Sequence, residues 1–289
     1  MRHLRVTLAG LVGATLLTGV TLTSATGAAT PSVASCKTSI LSHEHTRGTL
    51  TVATDSPAYP PWFVGNKPSN AKGYESAFVY ALARVLGVSS SKVKWVVEPF
   101  DNSYTPGPKA FDFDINEISY SAARARAVSF SNSYYDVEQS IVALKTNAIV
   151  TKHSPAQLKT YLYGDQIGTT GLAYINQHIK PTRTARVFST LDQAIQALKN
   201  KQIDAIVIDT PTGQYMASAQ ILGPHNKVIA KQVGQFPSVG EHYGLLLQKN
   251  NPLLGCINAG ISALKASGVL TTLAHRWLGI YTSVPIIQP

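Results

Sequence analysis

The chain has 289 residues, with 25 Lys and Arg against 15 Asp and Glu for a formal net charge of +10, and 44% of its residues are hydrophobic. That supplies a sizeable core for one large domain or two medium ones. The cations are scattered, with no basic run of four, so the charge reads as solubility and attraction to an anionic envelope and excludes a nucleic-acid surface.

Arg2 and Arg5 precede an uncharged run over residues 6–22, and small residues fill positions 24–30. This is the layout of a secretory signal. Gly10, Gly13 and Gly19 interrupt the run and no basic stop-transfer cluster follows it, which argues against a membrane-spanning helix. Small residues at Thr26 and Ala28, or at Gly27 and Ala29, suit a signal peptidase, so residues 1–29 are expected to be removed and the protein to be exported. Losing Arg2 and Arg5 and no acid lowers the charge of +10 by two, to +8. Residues 30–47 show no clear period and are expected to be a solvated leader. Their His43-Glu44-His45 triplet lacks a third ligand at useful spacing, so no metal is expected.

Regular structure is expected from Leu50 onward. Leu50–Thr54 is β-rich, and Gly73 opens a segment with apolar residues at Phe78, Leu82, Val85 and Leu86, a helical spacing closed by Gly87. Val93–Val97 and residues 113–115 read as further strands. Residues 140–144, Gln166-Ile167 and residues 203–208 read as strands of a second α/β unit. Its helix presents Leu191, Ile195 and Leu198 behind a Thr190 cap. The tail supplies a strand at 243–247 and a helix that opens at Asn251-Pro252, presents Leu253, Ile257, Ile261 and Leu264, and stops at Gly268. Strands alternating with helices predict an α/β fold.

Residues 118–135, ISYSAARARAVSFSNSYY, resemble the signature of the polar amino acid-binding proteins of ABC transporters, the family 3 solute-binding proteins. The resemblance continues in VATDSPAYPPWF at 52–63, Gly73-Tyr74-Glu75, LKTYLYGDQIGTTG at 158–171, IDAIVID at 203–209 and HYGLLLQKNNPL at 242–253. It implies a two-lobed, periplasmic-binding-protein-like α/β fold with two extended hinge crossovers. One lobe would be built from residues 48–138 and 241–289 and the other from 139–240, with hinges near 136–140 and 233–242. The implied function is the extracytoplasmic substrate-binding subunit of an uptake system, a monomer that takes a small amino acid to a membrane permease with neither cofactor nor metal.

A free amino acid presents a carboxylate and an ammonium, so its site needs a forked cation, hydroxyl or backbone donors and an acid. On the resemblance, Arg124 grips the carboxylate with paired hydrogen bonds, aided by Ser119 and Thr170 from opposite lobes. Asp209, at a strand's carboxyl end, receives the ammonium, and Asp55 stands near the amine or side chain. Tyr59 lies against the ligand's side chain, Gln166 helps select it, and Trp62 packs as core. Glu117 puts a third acid near the cleft, so a polar or cationic ligand is favoured over aspartate or glutamate. Ser121, Ala122 and Ala123 replace the signature's Thr and Glu, which removes a carboxylate expected to steady Arg124.

No Gly-x-Ser-x-Gly elbow, His-Glu-x-x-His helix, Walker loop or Gly-x-Gly-x-x-Gly turn appears, so no enzyme is expected. The fold also hosts rare exported enzymes such as a dehydratase on cyclic carboxylates, and ligand-sensing ectodomains, which stay as alternatives. Val33-Ala34-Ser35-Cys36 fits a lipobox but lies fourteen residues beyond Leu22. The family layout returns the helix carrying Cys256 to the first lobe, so a Cys36–Cys256 disulfide is the expectation over lipidation.

Overall fold

A computed structural model describes residues 31–42, 44–279 and 284–287; the expected signal segment and His43 lie outside these residues. The first sheet contains β1 (Leu50–Thr54), β2 (Val93–Val97), β3 (Phe113–Asp114), β4 (Val128–Asp136) and β10 (His242–Gln248), and the second contains β5 (Gln139–Leu144), β8 (Ala205–Asp209) and β9 (Ala230–Gln235). A short parallel pair, β6 (Gly164–Gln166) and β7 (Arg186–Phe188), flanks the second sheet through a bridge between Tyr163 and Ala205. The helices are α1 (Val33–Ser39), α2 (Tyr74–Val85), α3 (Phe100–Ser103), α4 (Arg124–Ala127), α5 (Pro155–Leu158), α6 (Thr170–Tyr174), α7 (Leu191–Lys199), α8 (Thr210–Tyr215), α9 (Leu254–Ala266) and α10 (Val269–Leu278).

Strand order in the first sheet is β2-β1-β3-β10-β4, with β1 parallel to β2 and β3 and β10 antiparallel to both neighbours. All five residues of β1 are buried, as a strand covered on both faces requires. In the second sheet β5 runs antiparallel between β8 and β9. The fold is the expected two-lobed α/β architecture. The chain leaves the first sheet after Asp136 and enters the second at Gln139, then leaves at Gln235 and returns at His242. The backbones of the two crossovers meet where Val137 N–H donates to the Glu241 carbonyl at 3.1 Å, and Phe236 N–H donates to Gln139 at 2.8 Å.

Local signals set several element ends. Gly73 sits at φ +96°, and a Cβ there would lie 2.2 Å from the Trp62 carbonyl, so the loop bearing Trp62 packs on the start of α2 only if this residue is glycine. Thr190 and Gln193 form a reciprocal capping box at the start of α7. The C-terminal helix departs from its expected start. Asn251 accepts from Leu253 N–H at 2.8 Å and so caps a turn, and the helix begins at Leu254.

Two expectations about the chain ends are corrected. The leader is not solvated throughout: Cys36 on α1 and Ile40 at its C-cap are buried in the first core with Val79, Leu82 and Ile257, while most of the described residues around them stay exposed. An apolar residue every fourth position buries one face of this short helix, too brief a pattern to stand out beside its Ser and Thr. Cys36 is disulfide-bonded to Cys256 on α9, with Cα atoms 5.5 Å apart, as expected. At the other end, residues 241–289 do not all join the first sheet's lobe. Gln235 N–H donates to the Pro285 carbonyl at 2.8 Å, Ile287 N–H donates to the Gln235 carbonyl at 2.7 Å, and Ile287 is buried in the second core beside Val233 and Phe236. An unpaired β9 edge and an apolar side chain account for this seat.

Candidate functional site

A cavity of about 370 Å³ opens between the two sheets, within the ordinary range for small-molecule sites of about 300–1,000 Å³. Seven of the eight expected ligand-binding residues line it: Asp55, Tyr59, Glu117, Arg124, Gln166, Thr170 and Asp209. Ser119 does not. The bridge pairing it with Tyr243 turns it toward the second crossover, where its buried hydroxyl donates to Glu241 Oε1 at 2.5 Å. Its carbonyl instead accepts from Arg124 Nη1 at 2.6 Å, so Ser119 braces the arginine.

Arg124 opens α4, the short helix between the β3 loop and β4. Its Nη2 donates to the Gly168 carbonyl at 2.8 Å, and its guanidinium carbon lies 4.8 Å from the Tyr104 ring centroid and 5.4 Å from that of Phe100. Two of five N–H donors are thus engaged and the remainder are free for a forked acceptor. The steadying carboxylate missing beside Arg124 in sequence is replaced by two carbonyls and two aromatic faces. Gly168 permits this approach. It sits at φ +76°, and a Cβ on it would lie 2.1 Å from the Tyr104 hydroxyl.

Asp209 ends β8 and occupies the N-cap position of α8, yet its side chain caps nothing. It faces Gln139, whose Nε2 donates to Asp209 Oδ1 at 2.5 Å. Burial and then the neighbouring Glu241 charge push the Asp209 carboxyl up to about 8. Glu117 lies on the floor of the cavity at φ +53°. Its Oε2 accepts from Thr212 Oγ1 at 2.7 Å, and that oxygen accepts from Trp62 Nε1 at 2.7 Å, so fully buried Trp62 is core with its one polar atom satisfied. Burial, then Glu75 and Asp209, hold Glu117 well above the usual carboxylate range.

Asp55 follows β1 and accepts from Ser56 N–H at 2.6 Å. Burial raises it, against the pull of the Ser56 and Phe100 backbone donors. Tyr59 reaches across the cavity and donates to Asp192, with both carboxylate oxygens 2.9 Å away. Thr170 begins α6, with Oγ1 3.3 Å from Gln139 Nε2, and Gln166 ends β6 at the cavity wall.

Gln139, Asp192 and Thr212 line the cavity and were not anticipated. Gln139 left a trace in sequence, a polar residue opening the apolar run of β5. Asp192 reads as an ordinary first-turn acid, and Thr212 carries no signal at all.

Residues 50–280 match the family model of the bacterial extracellular solute-binding proteins, family 3. The chain belongs to this family. Among curated family relatives, the L-cystine-binding protein TcyJ of Escherichia coli (strain K12) is 26% identical over 238 residues, covering 81% of this chain and 84% of that one. The probable histidine-binding protein of Campylobacter jejuni is 28% identical over 235 residues, covering 79% and 84%. Among solved structures, an ancestral arginine-binding protein bound to arginine shares 29% identity at a TM-score of 0.66, over 81% of this chain and 99% of its own. An ancestral amino acid-binding protein described as a precursor of cyclohexadienyl dehydratase shares 27% at 0.65, over 80% and 96%. Family 3 proteins are extracellular by description, which accords with export.

Proposed function

We propose that this family 3 protein captures a polar or cationic amino acid between two closing lobes and delivers it to the permease of an ABC uptake system. In this reading one lobe comprises residues 48–138 and 241–279 with the α1 segment, and the other comprises residues 139–240 with 284–287. Arg124 takes the carboxylate, Asp209 the ammonium and Thr170 a carboxylate oxygen. Asp55, Glu117, Tyr59 and Gln166 meet the side chain. The observation that carries the reading is charge: among the described residues lining the cavity, Arg124 is the only cation, beside Asp55, Asp101, Glu117, Asp192 and Asp209. A zwitterion consumes one cation and one acid and leaves an acidic surplus. A polar or cationic side chain suits that surplus, and a third carboxylate does not. The cystine-, histidine- and arginine-binding names among the relatives point the same way.

The dehydratase precursor among the structural neighbours keeps an enzyme as the second reading. A thermal-shift screen of L-amino acids and related carboxylic acids, followed by mass spectrometry of the mixture, separates the two. A binder raises the melting temperature by several degrees with arginine-, histidine- or glutamine-like ligands and returns them unchanged. Turnover of a hit, or preference for glutamate in competition, overturns the proposal.

A further inference from the structure

Gln139 is almost fully buried at the point where the first crossover becomes β5. Its Nε2 lies 2.5 Å from Asp209 Oδ1, 3.1 Å from Glu241 Oε2 and 3.3 Å from Thr170 Oγ1. Two carboxylates converge on this one amide, and only its nitrogen can face them, because the oxygen would meet acceptors with an acceptor. The arrangement leaves Gln139 Oε1 buried without a partner. An unmet acceptor is a standing cost, so the amide is oriented for the acids.

Glu241 extends the chain. Its Oε1 accepts from Ser119 Oγ, and the Ser119 carbonyl accepts from Arg124 Nη1. An unbroken polar path therefore runs Asp209, Gln139, Glu241, Ser119, Arg124, drawing on β8, both crossovers and the loop before α4. We propose that Gln139 is a positioning residue for the ligand's ammonium: its amide holds the Asp209 carboxylate and ties it, through Glu241 and Ser119, to Arg124, so that one path through both crossovers sets the spacing of the two charged poles.

The inference rests on Asp209 receiving the ammonium. The groups that act on Asp209 are Glu241 on the second crossover, Tyr243 on β10, Gln139 on β5, Arg124 on α4, Glu117 on the β3 loop, Asp165 on β6 and Tyr135 on β4. Glu241 disfavours the ionised form, while the Tyr243 hydroxyl, the Gln139 amide and Arg124 favour it. The ammonium needs a carboxylate, so affinity rises with pH as Asp209 ionises, and removing the Gln139 donor moves that rise to higher pH.

The test is calorimetry of L-arginine and L-glutamine binding from pH 5 to 9, on the native chain and on Gln139→Met, Gln139→Lys and Asp209→Asn, each checked for a cooperative melt. Gln139→Met keeps the length and loses the donor; at pH 7 its Kd rises at least about tenfold and its pH midpoint moves up. Gln139→Lys restores a donor and moves the midpoint down, a pair of opposite shifts that a packing role does not produce. Asp209→Asn weakens binding and flattens the pH dependence. An unchanged Kd in Gln139→Met, or an equal loss at every pH, overturns the inference alone if Asp209→Asn binds poorly. Native affinity in Asp209→Asn overturns the reading of the site beneath it, and failure of the native chain to bind either probe overturns both.

Discussion

Arg124 and the buried acids carry the residue-scale consequences. Arg124→Ala leaves a ligand carboxylate desolvated without its counter-charge, and is expected to weaken binding by at least about 3 kcal/mol in calorimetry while the fold persists. Wild-type affinity in that variant removes Arg124 from the site. The acids bear on stability instead. Glu75 is fully buried, accepts from Tyr134 Oη and Glu117 N–H at one oxygen and has no partner at the other, and burial holds its carboxyl above the ordinary value. Asp114, fully buried at the centre of the first sheet, is raised for the same reason. With Asp209 at about 8 against an ordinary 3.8, these acids bind protons more tightly in the folded chain than in the unfolded one. Their stabilising contribution is complete below about pH 4 and is lost as pH climbs toward 8. The ligand-free melting temperature is therefore expected to fall over that window from these groups, and Glu75→Gln to flatten the fall. A profile as steep in Glu75→Gln as in the native chain sinks the assignment for Glu75.

Among the elements, α1 is the one whose attachment tests most directly. It is seven residues long, well short of the length at which a helix stands alone in water, so its position depends on Cys36, Ile40 and the bond to α9. The disulfide spans a sequence separation of 220, and the entropic model assigns such a closure about 5.4 kcal/mol as an upper figure. Cys36→Ser with Cys256→Ser should lower the melting temperature markedly yet leave ligand affinity within about twofold, because no residue of α1 or α9 lines the cavity. A large affinity loss at unchanged melting temperature contradicts this. Seven of the ten strands and three of the ten α-helices among the described residues were legible locally. The caps at Thr190 and Gly73 and the 3,4 spacing of α2 and α7 are short-range physics that a window of residues contains. β4 and β9 were not, because polar residues interrupt their apolar positions without a regular period, and only their partners β10 and β5 show them to be strands.

At the scale of the molecule, the tail makes a third connection between the lobes. The chain passes from α10, packed against α2, to residues 284–287 on β9. Ile287→Ala empties a buried site in the second core and is expected to cost about 2 to 5 kcal/mol in denaturant unfolding. A change below about 0.5 kcal/mol means that the seat contributes nothing. What local runs of sequence determined was the α/β class, the order of most strands and the layout of an export signal. The arginine and acid that face the cavity, and the pairing of Cys36 with Cys256 at a separation of 220, came from the resemblance to family 3, whose layout carries long-range placement that no local run contains. Only the tertiary structure decided that Ser119 turns away from the cavity, that α1 seats Cys36 in the core and that the tail crosses over. The same holds for the joining of Gln139, Glu241 and Asp209. Gln139 opens β5 and Asp209 ends β8, which pair antiparallel, while Glu241, 102 residues from Gln139, lies on the second crossover where it meets the first; sheet pairing and the meeting of the crossovers bring the three together. Hydrophobic period says which face of a strand is buried, but it does not say which strand lies beside it.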